Sequence, residues 1–424
     1  MKKVGADASC ATLRLIWSSI VMAELNLNFD KFVERRGTDS IKYDAAELFG
    51  KPKDLLSFWV ADMDFKTSSY VQDATREVVE RGVFGYSTPS TRYYEAVGAW
   101  MKERHAFEPT REGWLITPGV VFAVTQCVRA FTEPGDPVLI QEPVYYPFAN
   151  TIRANRRVVV SNDLVLRDDG RYEIDFDDFE RKIVENKIKL FILCSPHNPV
   201  GRVWTREELE RLGELCVKHD VLVLADEIHH DFVFQGRHRV FETLSPEFAR
   251  RCVTCTSPSK TFNLAGLQIS NIFVSNPELC ARLRAEIEST GYAEPSVFGL
   301  AACRAAYEKG AEWFDAALRY IEGNIDYAVD FINAHIPYAS ARKNEGTYLV
   351  WANFRETGWS AEELESVVLR EARLWLDPGT LFGASGNGFE RINVACQRSY
   401  LEKGLNALRE AVINAAVAKA KMNV

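Results

Sequence analysis

Between residues 114 and 275 the chain alternates short apolar runs with longer amphipathic ones. Segments 114–117, 137–141, 157–161, 189–194, 221–225 and 271–275 are rich in valine, isoleucine and leucine, as buried strands are. Segments 121–131, 176–185 and 207–219 carry the spacing of amphipathic helices. Thr205, three residues before Glu208, forms a capping box at the head of the last of these. Strands alternating with helices predict a mostly parallel sheet covered on both faces. Ligands of such sheets sit beyond the carboxyl ends of the strands.

After about Gly310 the pattern changes. A long helical stretch at 313–333 is followed by 347–353, a helix near 361–371, a strand-like 389–395 and a final helix from Leu401. These predict a smaller α+β domain formed by 24–70 and 311–424, beside a large domain at 71–310. Residues 1–23 read as an extension, disordered or preceding the true start at Met22. The apolar run there is broken by Arg14 and lacks a clean cleavage site for a signal peptide.

At 424 residues the chain is long enough for two packed domains. A formal charge of -8 argues against a generic electrostatic grip on nucleic acid. No stretch approaches the roughly 20 uninterrupted apolar residues of a membrane span, so a cytoplasmic protein is expected. Nine scattered cysteines read as reduced thiols. Cys252 and Cys255 form a C-x-x-C within a short predicted strand, where alternation sends the thiols to opposite faces. They are therefore not read as a zinc site, and no other metal set is expected.

The polar residues with chemical potential fall just after the predicted strands. Ser257-Pro-Ser-Lys260 places a lysine between small residues. Such an amine forms a Schiff base with an aldehyde once desolvation or a neighbouring cation lowers its pKa. Asp226 follows the 221–225 run, where an acid can sit beside a pyridine nitrogen; a helix-capping aspartate is the plain alternative, and Glu227 and Asp231 are less well placed. Ser195-Pro-His-Asn198-Pro-Val-Gly201 is a rigid turn presenting an asparagine. Thr117-Pro-Gly119-Val-Val121 joins a strand to a helix, whose free N–H groups can cradle a phosphate. Arg391 interrupts the apolar 389–395 run with a guanidinium suited either to a substrate carboxylate or to a structural salt bridge. Each motif alone is ambiguous; their joint order is specific.

In that order the chain resembles the aspartate-aminotransferase-like enzymes that use pyridoxal 5'-phosphate (PLP), over roughly residues 28–408. Trp59-Val-Ala-Asp-Met-Asp-Phe65, Asp226-Glu-Ile-His229, Ser257-Pro-Ser-Lys-Thr-Phe-Asn263 and Arg391-Ile-Asn-Val-Ala-Cys-Gln-Arg-Ser399 are similar to the cystathionine β-lyase branch of MalY/PatB type. The resemblance implies an α/β fold with a mostly parallel seven-stranded sheet flanked by helices, plus the smaller domain. It implies that Lys260 holds PLP covalently, Asp226 pairs with the pyridine nitrogen, and Asn198 and His229 face the phenolic oxygen. Tyr145 would stack on the ring. The amides of Val120 and Val121, with Ser257 and Ser259, would hold the phosphate. Tyr86 would reach the phosphate from the neighbouring subunit of a homodimer, and Arg391 would bind the substrate α-carboxylate. Gln268 stands where many aminotransferases place a phosphate-neutralising arginine, as in the lyase branch.

The implied activity is a carbon–sulfur β-lyase that cleaves cystathionine or related cysteine S-conjugates to pyruvate, ammonia and a thiol. The alternative is an aminotransferase, which shares the first proton abstraction. A regulator that has lost turnover is a third reading, disfavoured because Lys260, Asp226 and Arg391 are all present. His197, His230, His238 and Trp204 show no partner pattern along the sequence and read as structural.

Overall fold

A computed structural model describes residues 27–422, so the reading of 1–23 lies outside the described residues. Seven strands form the central sheet: β1 (Trp114–Thr117), β2 (Pro137–Ile140), β3 (Val158–Ser161), β4 (Leu190–Cys194), β5 (Leu222–Asp226), β6 (Cys252–Thr256) and β7 (Ser270–Phe273). Their spatial order is β1-β7-β6-β5-β4-β2-β3. Only β7 runs antiparallel to its neighbours. The sheet is thus the expected mostly parallel one, and six of its strands fall on the apolar runs, shifted by one or two residues at most.

Alternation along these strands assigns each side chain to one of two cores. Leu190, Ile192 and Cys194 pack with Val138, Ile140 and Leu224 on one face. Phe191, Leu193, Leu139, Val223 and Ala225 pack on the other with Trp204, Leu209 and Leu212. All five residues of β4 are buried, which is why the run shows no polar position. Cys252 lies in one core and Cys255 in the other, so the C-x-x-C thiols face apart as the alternation requires.

Helices α1 (Ser69–Arg81), α2 (Thr91–His105), α3 (Val120–Phe131), α4 (Phe176–Asn186), α5 (Arg206–Lys218), α6 (Pro277–Ser289) and α7 (Val297–Lys309) surround the sheet. The Thr205/Glu208 capping box is present in both directions at the start of α5. A second sheet, antiparallel, comprises β8 (Ser340–Ala341), β9 (Leu349–Asn353), β10 (Asp377–Pro378) and β11 (Phe389–Asn393), in the order β8-β9-β11-β10. The long helices α8 (Ala311–His335) and α9 (Arg398–Met422) accompany it. The helix expected near 361–371 stops at Ser366 and continues as a π-helical turn to Glu371, and α9 begins three residues before Leu401.

The N-terminal segment is stitched to this second unit. Leu56–Ser57 pairs parallel with Leu374–Trp375, and Trp59 stacks on Trp375 at 4.3 Å between ring centroids. Lys42, almost fully buried, donates to Asp64 at 2.8 Å, and Arg35 bonds both Asp62 and Asp64. Those ion pairs fix the backbone of residues 61–64, which runs directly over the carboxyl ends of the central strands. One apolar cluster continues from Val71, Tyr93 and Trp100 to Ile321 and Leu349, so the two sheets share a core.

Candidate active site

At the carboxyl end of the central sheet lies a cavity of about 250 Å³. Its wall contains Val120, Val121, Tyr145, Asn198, Asp226, His229, Ser257, Ser259 and Lys260, together with Gly119, Gln268, Ser270 and Ala61. Residues separated by more than a hundred positions meet there because successive strands end on the same edge.

Lys260 is placed by a small piece of local structure. The Ser257 hydroxyl donates to Ile269 O at 2.8 Å and accepts the Ser259 N–H at 3.1 Å, capping the one-turn helix Pro258–Thr261. Lys260 then turns inward, and its Nζ donates to Ala61 O at 2.7 Å. Burial and the nearby Arg391 charge push its pKa down to about 8, against the opposing pull of Asp62 and Asp226.

Asp226 is the last residue of β5 rather than a residue after it. One carboxylate oxygen accepts the Ile228 N–H at 3.1 Å. Burial raises its pKa to about 7, although the Ile228 N–H and Lys260 oppose the shift. A carboxyl so displaced is one that gains from a cationic N–H partner. Glu227 points elsewhere, to the Phe241 N–H and His238, and Asp231 to His105 and Thr261, so neither competes for this position.

Asn198 accepts from Arg391 Nη1 through Oδ1 at 3.0 Å. An arginine can only donate, so this contact fixes the amide orientation and leaves Nδ2 as a donor beside the cavity. His229 Nδ1 and Ser270 Oγ are buried and have no hydrogen-bond partner among the described residues. Burial, with Lys260 and Arg391 adding to it, drives the His229 pKa well below the usual range, so its ring is neutral. Helix α3 starts at Val120 behind Gly119, with no side-chain cap on its first N–H groups. A Cβ at Gly119 would meet nothing within 4 Å, leaving room for an anion at these groups.

Two expected residues stand apart. Tyr86 is 96% exposed in the single chain and does not line the cavity. Arg391 lies one layer behind the wall. It pairs with Asp377, donates to Trp59 O at 2.7 Å and to Asn198, and keeps Nε without a partner among the described residues. Arg391 is thus salt-bridged, and through Asn198 it adjoins the cavity.

Residues 53–408 match the family Aminotransferase class I and II. The chain belongs to that family. It is 43% identical over 388 residues to cystathionine beta-lyase PatB of Bacillus subtilis, covering 91% of this chain and 100% of that one. Protein MalY of Escherichia coli is 34% identical over 388 residues, 91% of this chain and 98% of MalY. Among solved structures, cystalysin from Treponema denticola, which contains a pyridoxal 5'-phosphate cofactor, superposes with a TM-score of 0.88 at 34% identity, over 91% and 99% of the two chains. A PLP-bound C-S lyase from Staphylococcus hominis gives 0.83 at 32% identity with the same coverage.

Several parts of this aminotransferase-family site carried no residue-level signal. The Ala61 carbonyl also accepts from Tyr348 Oη at 2.9 Å, so lysine and tyrosine share one acceptor. A backbone carbonyl has no sequence signature, and Tyr348 is one buried aromatic among many. Ser270 was equally silent. His230, which shows no partner pattern along the sequence, lies with His105 at Asp231, and His238 pairs with Glu227.

Proposed function

We propose that this protein is a PLP-dependent carbon–sulfur β-lyase acting on cystathionine or a related cysteine S-conjugate. The observation that carries the reading is the 43% identity to a cystathionine beta-lyase over its full length, and the cavity chemistry fits the cofactor. It offers a lysine of lowered pKa, a buried carboxyl lacking a cationic partner, a fixed amide donor and a free helix N-terminus. PLP, when bound, supplies an electron sink conjugated to the substrate Cα.

The chain's own residues do the rest. Lys260 Nζ would hold the cofactor and, when free, would take the Cα proton as general base. Asp226 would hold a proton at the ring nitrogen. Asn198 Nδ2 would donate to the phenolic oxygen, which the neutral His229 would also face. Tyr145 would stack on the ring, and the Val120 and Val121 N–H groups, with Ser257 and Ser259, would hold the phosphate. Arg391 receives the substrate carboxylate. Loss of the Cα proton and the β-thiolate, followed by addition of water, gives thiol, pyruvate and ammonia. Residues 71–310 form the cofactor-binding domain, with 24–70 and 311–424 as the smaller one.

The working unit is a cytoplasmic homodimer in which Tyr86 enters the partner's site. The reading is supported by the exposure of Val83, Phe84 and Tyr86 on one segment. Mixing inactive Tyr86→Ala and Lys260→Ala proteins then restores about a quarter of wild-type activity, because a mixed dimer keeps one intact site. No restoration refutes the shared site.

The deciding experiment is a visible spectrum of the purified protein, followed by L-cystathionine in a coupled pyruvate assay. A cofactor band absent from Lys260→Ala, with pyruvate release, is expected. A band without pyruvate, but with conversion of the cofactor to its amine form, points to an aminotransferase and refutes the lyase reading. No band after PLP is added refutes the cofactor assignment itself.

A further inference from the structure

Behind the lysine, on the other side of the Pro258–Thr261 turn, two histidines contact one buried carboxylate, with His238 nearby on Glu227. His105 Nε2 lies 2.7 Å from Asp231 Oδ1, and His230 Nε2 lies 3.2 Å from Asp231 Oδ2. The candidate ligand atoms of His105, His230 and Asp231 all fall within 4.8 Å of one another. His230 Nδ1 is 2.6 Å from Glu227 O, which only accepts, so Nδ1 carries the proton and Nε2 presents a lone pair. That Nε2 is buried and has no aligned hydrogen bond among the described residues despite its closeness to Asp231.

From this geometry we infer that His105 Nε2, His230 Nε2 and an oxygen of Asp231 form a binding site for a divalent transition-metal ion, with zinc the fitting ion. Two imidazoles and a carboxylate are a borderline donor set suited to zinc, at about 2.0–2.2 Å from each atom. Tetrahedral ligands at that range stand roughly 3.3 Å apart. His230 Nε2 already stands at that range from Asp231 Oδ2, whereas His105 Nε2 contacts the other oxygen, so binding needs a small turn of the carboxylate and withdrawal of the His105 ring. The surroundings are those of oriented ligands. Trp100 Nε1 donates to Asp231 at 3.0 Å and Thr261 Oγ1 at 2.6 Å, while the Glu227 carbonyl sets the His230 tautomer.

A cavity of about 320 Å³ opens onto these residues, lined also by Arg104, Gly236, Arg237 and His238. It supplies the entry path and room for water as fourth ligand. None of its residues lines the catalytic cavity. The two arginines on the rim oppose a cation, but Arg104 is held by Asp315 at 2.7 Å and over the Trp100 ring. Because Thr261 follows Lys260 in the same turn, the ion would clamp the lysine-bearing turn to α2, acting as a structural lock.

The test uses tag-free holoenzyme freed of metals with a chelator and titrated calorimetrically with zinc, then with cobalt as a spectroscopic probe. One ion per chain is expected, with visible d–d absorption for cobalt. His230→Gln and His105→Gln weaken binding by at least about tenfold, with the cofactor band and secondary structure unchanged. The exposed His335→Gln leaves binding unaltered. Absence of stoichiometric binding, or equal affinity in wild type and His230→Gln, overturns the proposal.

Discussion

The lowered pKa of Lys260 makes a quantitative prediction for the rate at which cofactor-free protein captures PLP. Only the neutral amine attacks an aldehyde, so the rate tracks the unprotonated fraction. With a pKa of about 8, that fraction is roughly 9% at pH 7, half at pH 8 and 99% at pH 10. Capture therefore rises about 11-fold between pH 7 and 10, most of it below pH 8.5. A lysine left at its ordinary value would instead rise several hundred-fold across the same interval, still climbing at pH 10. The range lies above the phosphate titration of PLP near pH 6, so that group contributes little. Stopped-flow absorbance gives the rate directly. Asp62 and Asp226 both raise the Lys260 pKa, so Asp62→Asn should move the break to lower pH. Arg391 lowers it, so Arg391→Met should move the break upward. A log-linear rise continuing to pH 10 in the wild type would refute the burial argument. The same shift bears on stability: the unfolded chain binds more protons than the native one between about pH 8 and 10.4, so the cofactor-free protein should gain stability as pH rises through that window.

Asp226→Ala should lower kcat/KM for pyruvate release by about 10²–10³ through lost charge stabilisation, while the cofactor band persists; an unchanged kcat/KM would contradict its role. Asp64→Ala leaves the buried Lys42 ammonium with only Asp62 at 3.6 Å, and should cost about 3 kcal/mol in urea denaturation. Less than about 0.5 kcal/mol would show that the network over residues 61–64 is not held by this pair. Gly379→Ala would drive a Cβ into Gly386 O and to 2.8 Å from Phe389 O. It should destabilise by about 1–3 kcal/mol in the same assay, through backbone displacement next to Asp377.

The site also shows why lysine, arginine and two acids can share so small a space. Lys42, Arg35 and Arg391 each engage a carboxylate, and the cations near Lys260 are balanced by Asp62 and Asp226. The resulting pKa of about 8 is the balance among these charges after burial. Loss of one member should shift the lysine without emptying the site.

The sequence determined the central sheet because β4, β5 and their neighbours are buried on both faces, and a run such as Leu-Phe-Ile-Leu-Cys leaves no other environment for itself. It determined which residues stand at the strand ends, since Lys260, Asp226 and Asn198 follow directly from where those runs stop. It also placed Cys252 and Cys255 on opposite faces, because a strand's period is fixed by covalent geometry. Tertiary structure alone decided the rest. Asp377 lies 14 residues from Arg391, yet it meets that residue through strand register in an antiparallel sheet. The Ala61 carbonyl reaches Lys260 across 199 positions only because buried ion pairs hold its segment over the sheet. His105 joins the turn residues His230 and Asp231 from the end of helix α2. Local patterns record what each segment buries; which segments then meet depends on chain-wide packing, and no window of sequence contains it.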